Sequence, residues 1–429
     1  NLAFLTTASI SILIALVAPW FVDNIIAPGF PAEQKALTVE LMRLDLVAII
    51  IFSLSGLVMA GLHANQHFVL PAMAPGLYNI GQIFGAAILA PSSNFNIGPL
   101  VIPTFGLGIH GLVYGVIIGA LLHLIIQIPG LIKYEFKWIP GLGLKEAGVR
   151  QVLILLGPRI ITMFFIQMFF IVRDNLASGL GEGAVTALNL GWFIMQLPET
   201  ILGTAFAIAL LPTISELFAT GEMEQFQKTI KSAIRTVIAV TIPAAALVAV
   251  GIRPLVQVAF NYDHAGTEMI VLAARIYLVG MSSHALLETA VRSFYAQKNA
   301  LIPLLAAALN ARLYIMFAIL LSKNLGFSGI AMANTIAFSI ESLLLLWLLN
   351  CTFPGILRTR KTILRVLLGT AISSGLLFTM LRIIPGPQIL IVIIGMIICT
   401  GIIIPFIAPE LRQLLALGSK TNQNQVSHS

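Results

Sequence analysis

Ionisable and amide side chains stand inside long apolar runs of this chain, where each is costly and therefore informative. Arg159, Gln167 and Asp174 recur at i, i+8 and i+15, roughly one face of a helix turning about 100° per residue. Asn189, Trp192, Gln196 and Glu199 form a cleaner stripe at i, i+3, i+7 and i+10, with Pro198 set to kink its helix. His284, Glu288 and Arg292 follow at i, i+4 and i+8, and Asn334 and Glu341 at i and i+7; Arg275 and Arg312 complete the set. Arg159, Arg275 and Arg312, with Gln167, Asn189, Gln196 and Glu199, suit an anionic headgroup held by charge-assisted hydrogen bonds. Asp174, Glu288 and Glu341 suit a coupling ion, H+ or Na+. The plainer alternative is buried ion pairs, Arg159 with Glu199 for instance, or side chains that snorkel to an interface.

Other chemistries are excluded. His63 and His67 are four apart, but no glutamate stands between them in the zincin arrangement, and they belong to a loop. Cys351 and Cys399 are too few and too separate for a disulfide framework or a metal site. No Walker-type phosphate loop occurs, so no metal, organic cofactor or nucleotide is expected; the energy source left is the membrane potential or an Na+ or H+ gradient. No outward loop is long enough to carry a catalytic domain, so an enzyme is not expected and no residue is assigned as catalytic.

The elements that must position these groups follow from composition. Of 429 residues 58% are hydrophobic and 10% charged, which excludes a soluble enzyme. A bilayer core of ~30 Å takes ~20 apolar residues per helix. Twelve apolar runs lie between polar or Gly/Pro-rich breaks, from 2–22 to 389–407, and they are apolar on every face, which excludes a β-barrel. The expected fold is an all-α polytopic membrane protein of about twelve transmembrane helices. The net charge of +7 then reports orientation rather than nucleic-acid binding. Basic residues crowd 133–150, 228–235 and 358–365, against scattered Lys35, Arg43, Arg173, Arg253, Lys323 and Arg382 at the opposite span ends. The crowded side is expected to be cytoplasmic, with the C-terminus on it and Asn94 outside.

An internal repeat organises the spans. The segment from His63 to Pro71 resembles that from Tyr295 to Pro303, with an alanine seven residues before the proline in both (71−64 and 303−296). Each copy enters a span, and the copies are six spans apart, so both enter from the same side: two pseudo-symmetric helical lobes in parallel orientation. The expected division is an N-terminal lobe of four spans over 1–140, a C-terminal lobe of six over 141–352, a final helix pair over 353–417 and a disordered tail over 418–429. Two spans precede the matching element in the second lobe, and the chain opens on Asn1 inside an apolar run; two further helices are expected upstream.

Several short motifs carry a family resemblance. They are Ala27-Pro28-Gly29-Phe30, Ala74-Pro75-Gly76-Leu77-Tyr78-Asn79-Ile80-Gly81, Gln127-Ile128-Pro129, Leu156-Gly157-Pro158-Arg159, Asn175 to Gly179, Leu197-Pro198-Glu199 and Arg292 to Ala296. In order and spacing, over essentially the whole chain, they resemble the MurJ/MviN family of lipid II flippases. The resemblance implies a fourteen-helix fold of the multidrug/oligosaccharidyl-lipid/polysaccharide exporter superfamily, of which the spans here are the third to fourteenth. It also implies alternating access for a polyprenyl-pyrophosphate-linked peptidoglycan precursor in the bacterial inner membrane. Membrane lipids, the lipid-linked saccharide and cell-wall synthesis proteins are the implied partners. The family's arginine before the proline matching Pro198 is replaced by Phe193, and Arg159 on the neighbouring helix is the candidate substitute. Two other readings stay open: an ion-coupled exporter of small cations on the same fold, and a non-transporting diverged paralogue or scaffold.

Overall fold

A computed structural model describes residues 1–426 except 98–99, 137–140 and 143–146. For 95–97, 100, 102, 147, 151, 153–155, 157–159, 161–162, 165, 411 and 413–426 it describes the backbone alone. Lipid offers a backbone N–H or C=O no partner, so apolar runs close their hydrogen bonds as helices. Two compact units result, 1–164 and 165–429.

The first unit holds α1 (Leu2–Phe21), α2 (Ala32–Ala64), α3 (Val69–Phe84), α4 (Ile109–Ile125) and the short α5 (Ile128–Lys133). A two-stranded antiparallel hairpin joins α3 to α4, pairing β1 (Phe95–Ile97) with β2 (Leu100–Ile102), an addition to the all-helical expectation. Helix α6 (Ala147–Ser178) runs from one unit into the other. The second unit continues with α7 (Ala184–Glu199), α8 (Ala205–Ala219), α9 (Met223–Phe260), α10 (His264–Ala296), α11 (Leu301–Thr352), α12 (Arg360–Ile383) and α13 (Gln388–Val426). Among the described residues ten helical segments are long and apolar enough to cross a membrane. One of them, α11, breaks at Gly326 (φ 57, ψ −139) into two. With α6, the apolar runs of the sequence each coincide with a helix. The backbone of α13 continues to Val426, through residues expected to be disordered: no proline follows Pro409, and the one glycine, Gly418, costs a helix only about 1 kcal/mol.

The repeat seen in sequence is also a repeat of backbone geometry. At the end of α2, Gln66 takes φ 56 while its N–H bonds His63 O and that of His67 bonds Leu62 O. At the end of α10, Lys298 takes φ 58 with N–H bonds from Lys298 to Tyr295 O and from Asn299 to Phe294 O. A second matched pair follows. Gly108 (φ 57, ψ −136) opens α4 and Gly326 opens the second half of α11, each followed three residues later by a glycine, Gly111 and Gly329. A Cβ on Gly111 would lie 2.5 Å from Ala90 N, and one on Gly329 would lie 2.4 Å from Leu321 O, so both helix starts need glycine to close on the preceding helix.

Packing differs between the units. In the first, α3 and α4 meet at glycine: a Cβ on Gly81 would lie 2.3 Å from Gly119 Cα, and one on Gly115 would lie 2.6 Å from Gly85 Cα. In the second, α10 packs against α7, α9 and α11, with 61% of its apolar stretch buried, the largest share among the candidate spans. Helices α12 and α13 pack together and against α9. Buried Glu410 of α13 pins this trio, accepting from Arg235 Nη2 and Thr362 Oγ1 at 3.0 Å each and from Arg365 Nη2.

Candidate functional site

The buried polar groups of the second unit follow one face of α10. Tyr277, His284, Glu288 and Arg292 are spaced at i, i+7, i+11 and i+15, about 22 Å along a helix. Tyr277 is 1% exposed and His284 8%. Around them an aromatic box closes: the Trp192 ring lies 5.5 Å from that of Tyr277 and 5.3 Å from that of His284, and Phe338 lies 4.1 Å from His284. His284 Nε2 donates to Asn334 Oδ1 at 3.3 Å, leaving the fully buried Asn334 Nδ2 without a partner.

Three carboxylates stand at the lower end of this face. Glu199 ends α7 where a π-helical turn, Thr200–Thr204, begins; such turns insert a residue and re-aim side chains, often at functional sites. Its carboxylate is buried and accepts from Thr204 Oγ1 at 3.2 and 3.3 Å. Gly203 makes that burial possible, since a Cβ there would lie 2.6 Å from Ala285 Cβ and 2.7 Å from Glu199 Oε1. Glu341, also buried, accepts from Asn310 Nδ2. Half-buried Glu288 pairs with Arg292. At the other end Arg173, 2% exposed, donates through Nε to Asp174 Oδ1 at 2.9 Å and through Nη2 to Asn189 Oδ1.

The residues expected from sequence therefore divide. Glu199, Glu288 and Glu341 come together around α10, and Asp174 is half-buried in its pair with Arg173. Gln167, Gln196, Asn189, Arg275 and Arg312 are exposed. Arg275 donates through Nε to Ala249 O at 2.9 Å, and Arg312 makes no hydrogen bond or ion pair among the described residues. Arg159, and with it the supposed pair to Glu199, lies outside the residues whose side chains are described. Phe193 is 52% exposed.

Sequence reading passed over Arg173, placing it with the charges at the outer span ends; its adjacency to Asp174 was the available signal. Tyr277, Asn310 and Tyr314 gave no signal, because a lone Tyr or Asn in an apolar run reads as packing. A neutral cluster in the first unit was also passed over: Gln127 Nε2 donates to Ser55 Oγ at 2.8 Å, and Ser55 Oγ lies 2.7 Å from His123 Nδ1, all three buried.

Ten described helical segments long and apolar enough to cross a membrane, with polar side chains buried among the helices of the second unit, define a multi-pass membrane protein. The model of the lipid II flippase MurJ family matches residues 1–398, and the chain belongs to that family. Lipid II flippase MurJ of Burkholderia cenocepacia is 27% identical over 337 residues, covering 76% of this chain and 63% of that protein. The probable lipid II flippase MurJ of Buchnera aphidicola subsp. Acyrthosiphon pisum is 25% identical over 342 residues, 78% of this chain and 65% of that one. The chain thus spans less than two thirds of these relatives. Among solved structures, a lipid II flippase MurJ in an inward closed conformation superposes with a TM-score of 0.75 at 22% identity, covering 94% of this chain and 81% of that one. An inward-facing multidrug-resistance MATE transporter of the MOP superfamily superposes at 0.61 and 14% identity, over 83% and 80% of the two chains. These likenesses establish the fold.

Proposed function

We propose that the chain moves a lipid-linked anionic saccharide, the lipid II that names its family, from the cytoplasmic to the outer leaflet by alternating access. No bond is made or broken. One observation carries the choice of substrate charge: among the candidate residues the exposed groups are cations and amides, while the carboxylates are buried or paired with an arginine. Arg275, Arg312, Gln167, Asn189 and Gln196 are open to contact, whereas Glu199 and Glu341 are 7% and 5% exposed and Glu288 and Asp174 are each paired with an arginine. A pyrophosphate would find donors among these groups and a cationic drug repulsion, which weighs against the cation-exporter reading. The family match weighs against a non-transporting scaffold.

Crowding of basic residues at 133–150, 228–235 and 358–365 supports a cytoplasmic C-terminus. Membrane potential or an Na+ or H+ gradient supplies the energy, and proteins of cell-wall synthesis are the expected neighbours. The test is transfer of a fluorescent lipid-linked precursor across vesicles holding the full chain. Arg312→Ala and Arg275→Ala should each slow transfer without lowering the thermal midpoint; transfer at the unaltered rate in the double variant would remove the substrate reading.

A further inference from the structure

One carboxylate of the first unit stands inside a span without a partner. Asp45 lies 13 residues from the start of α2 and 19 from its end (45−32 and 64−45), about 20 and 28 Å along the axis, within the apolar depth of the helix. The neighbouring charges of α2 are engaged: Lys35 pairs with Asp23, Glu40 with His110, and Arg43 donates through Nε to Ala15 O at 2.9 Å. At about 100° per residue Arg43 leaves the helix about 200° away from Asp45. Asp45 is exposed and makes no hydrogen bond or ion pair among the described residues. A bare carboxylate facing lipid is strongly disfavoured, so this face of α2 opens on a polar path.

Beside it α3 holds two half-buried polar groups in fixed positions. Gln82 Nε2 donates to Tyr78 Oη at 3.0 Å, and Tyr78 is within electrostatic reach of Asp45. The Tyr78 ring meets Phe52 edge-on with centroids 5.0 Å apart, and Phe52 rests on the His123 ring at 5.3 Å; Asp45 and Phe52 share a face of α2 at i and i+7. A Cβ on Gly119 of α4 would lie 2.8 Å from Tyr78 Cδ2, so glycine there gives the ring its seat. The hydrogen-bonding capacity left over sets the chemistry. Tyr78 Oη accepts from Gln82 and its own O–H is left to donate; Gln82 keeps Oε1 as an acceptor and a second N–H as a donor; Asp45 brings two acceptor oxygens. A pyrophosphate needs donors only and would be repelled by Asp45. A metal ion needs acceptors only, and among the described residues no three His, Cys, Asp or Glu side chains group to hold one. Donors and acceptors mixed beside an aromatic wall match the hydroxyls and the C–H face of a sugar ring.

We propose that Asp45, Tyr78 and Gln82 form a saccharide subsite on the first unit: Asp45 accepts from hydroxyl or amide N–H groups of the sugar, and Tyr78 and Gln82 bond the same sugar. The subsite rests on the carrier reading and names the part of the cargo that the first unit meets. Its carboxylate turns a pyrophosphate away, so the sugar end of the headgroup is the end it selects. Specificity follows, because a site built to bond hydroxyls leaves its own polar groups unpaired with a cargo that lacks them.

The experiment measures binding to the full chain in lipid nanodiscs with two probes, polyprenyl pyrophosphate carrying a disaccharide and bare polyprenyl pyrophosphate. The unaltered chain should bind the disaccharide probe the more tightly. Asp45→Asn should weaken that probe about tenfold, the worth of one hydrogen bond to a charged group, and Tyr78→Phe about fivefold, the worth of a neutral one. Both variants should leave the affinity for the bare probe unchanged. Thermal unfolding checks that they fold, and the near-isosteric Tyr78→Phe carries the test if Asp45→Asn does not. Equal affinity of the unaltered chain for the two probes overturns the subsite and leaves the carrier. So does an unchanged affinity for the disaccharide probe in the folded variants, or a parallel loss of both probes. Binding of neither probe by the unaltered chain overturns the carrier reading and the subsite with it.

Discussion

The two units share backbone devices and spend their interiors differently. Counted from the glycine that opens each matched helix, Gly108 and Gly326, the residue 15 positions on is His123 in one (123−108) and Glu341 in the other (341−326). The imidazole is held by neutral groups, Ser55 and Gln127, while the carboxylate shares its surroundings with two more carboxylates. Seven and eleven positions on, the first unit has Gly115 and Gly119 against backbone, where the second has buried Ala333 and Ala337. The first unit is thus a tightly closed packing element, and the second gives up some closeness to bury charge. A repeat preserves geometry more readily than chemistry, because a helix cap depends on backbone alone and a polar interior on individual side chains.

The largest expected effect is in the second unit. Glu410→Ala leaves Arg235 and Arg365 beside an emptied, buried position and should cost roughly 3–5 kcal/mol, read as thermal unfolding in detergent. A loss under about 1 kcal/mol would mean that charge does not hold α12 and α13 to α9. Gly115→Ala comes next: its methyl would meet Gly85 Cα at 2.6 Å, so the expected loss is about 1–3 kcal/mol. The matched Ala333→Gly should cost only about 1 kcal/mol. Equal losses at the two positions would erase the packing contrast. Smaller than Gly115→Ala within the first unit is Ser55→Ala, which removes the hydroxyl between His123 and Gln127 and should cost about 1–2 kcal/mol with no effect on precursor transfer. A transfer defect there would show that the buried polar groups of the first unit take part in transport.

The spans were legible because bilayer thickness imposes a run length, and the repeat was legible because a cap with positive φ constrains neighbouring residues at Gln66 and Lys298 alike. Glu199, Glu288 and Glu341 were legible as costly groups in apolar surroundings, but their grouping around α10 was not, since helical periodicity gives a face and not the helix opposite it. Gly111, Gly115 and Gly119 stand at four-residue intervals and could have marked the α3–α4 contact. Nothing local distinguishes Tyr277 from the other aromatic residues of its run, and nothing local ties Glu410 to the two arginines that α9 and α12 place beside it.

The central claim is that this chain carries an anionic lipid-linked precursor outward. Its most direct measurement is the leaflet distribution of that precursor in cells depleted of the protein, with its residues tested by complementation. The account predicts precursor accumulating in the inner leaflet on depletion, relief by the unaltered protein and reduced relief by Arg312→Ala at equal protein level. An unchanged distribution on depletion, or full relief by a protein lacking both Arg275 and Arg312, would contradict it.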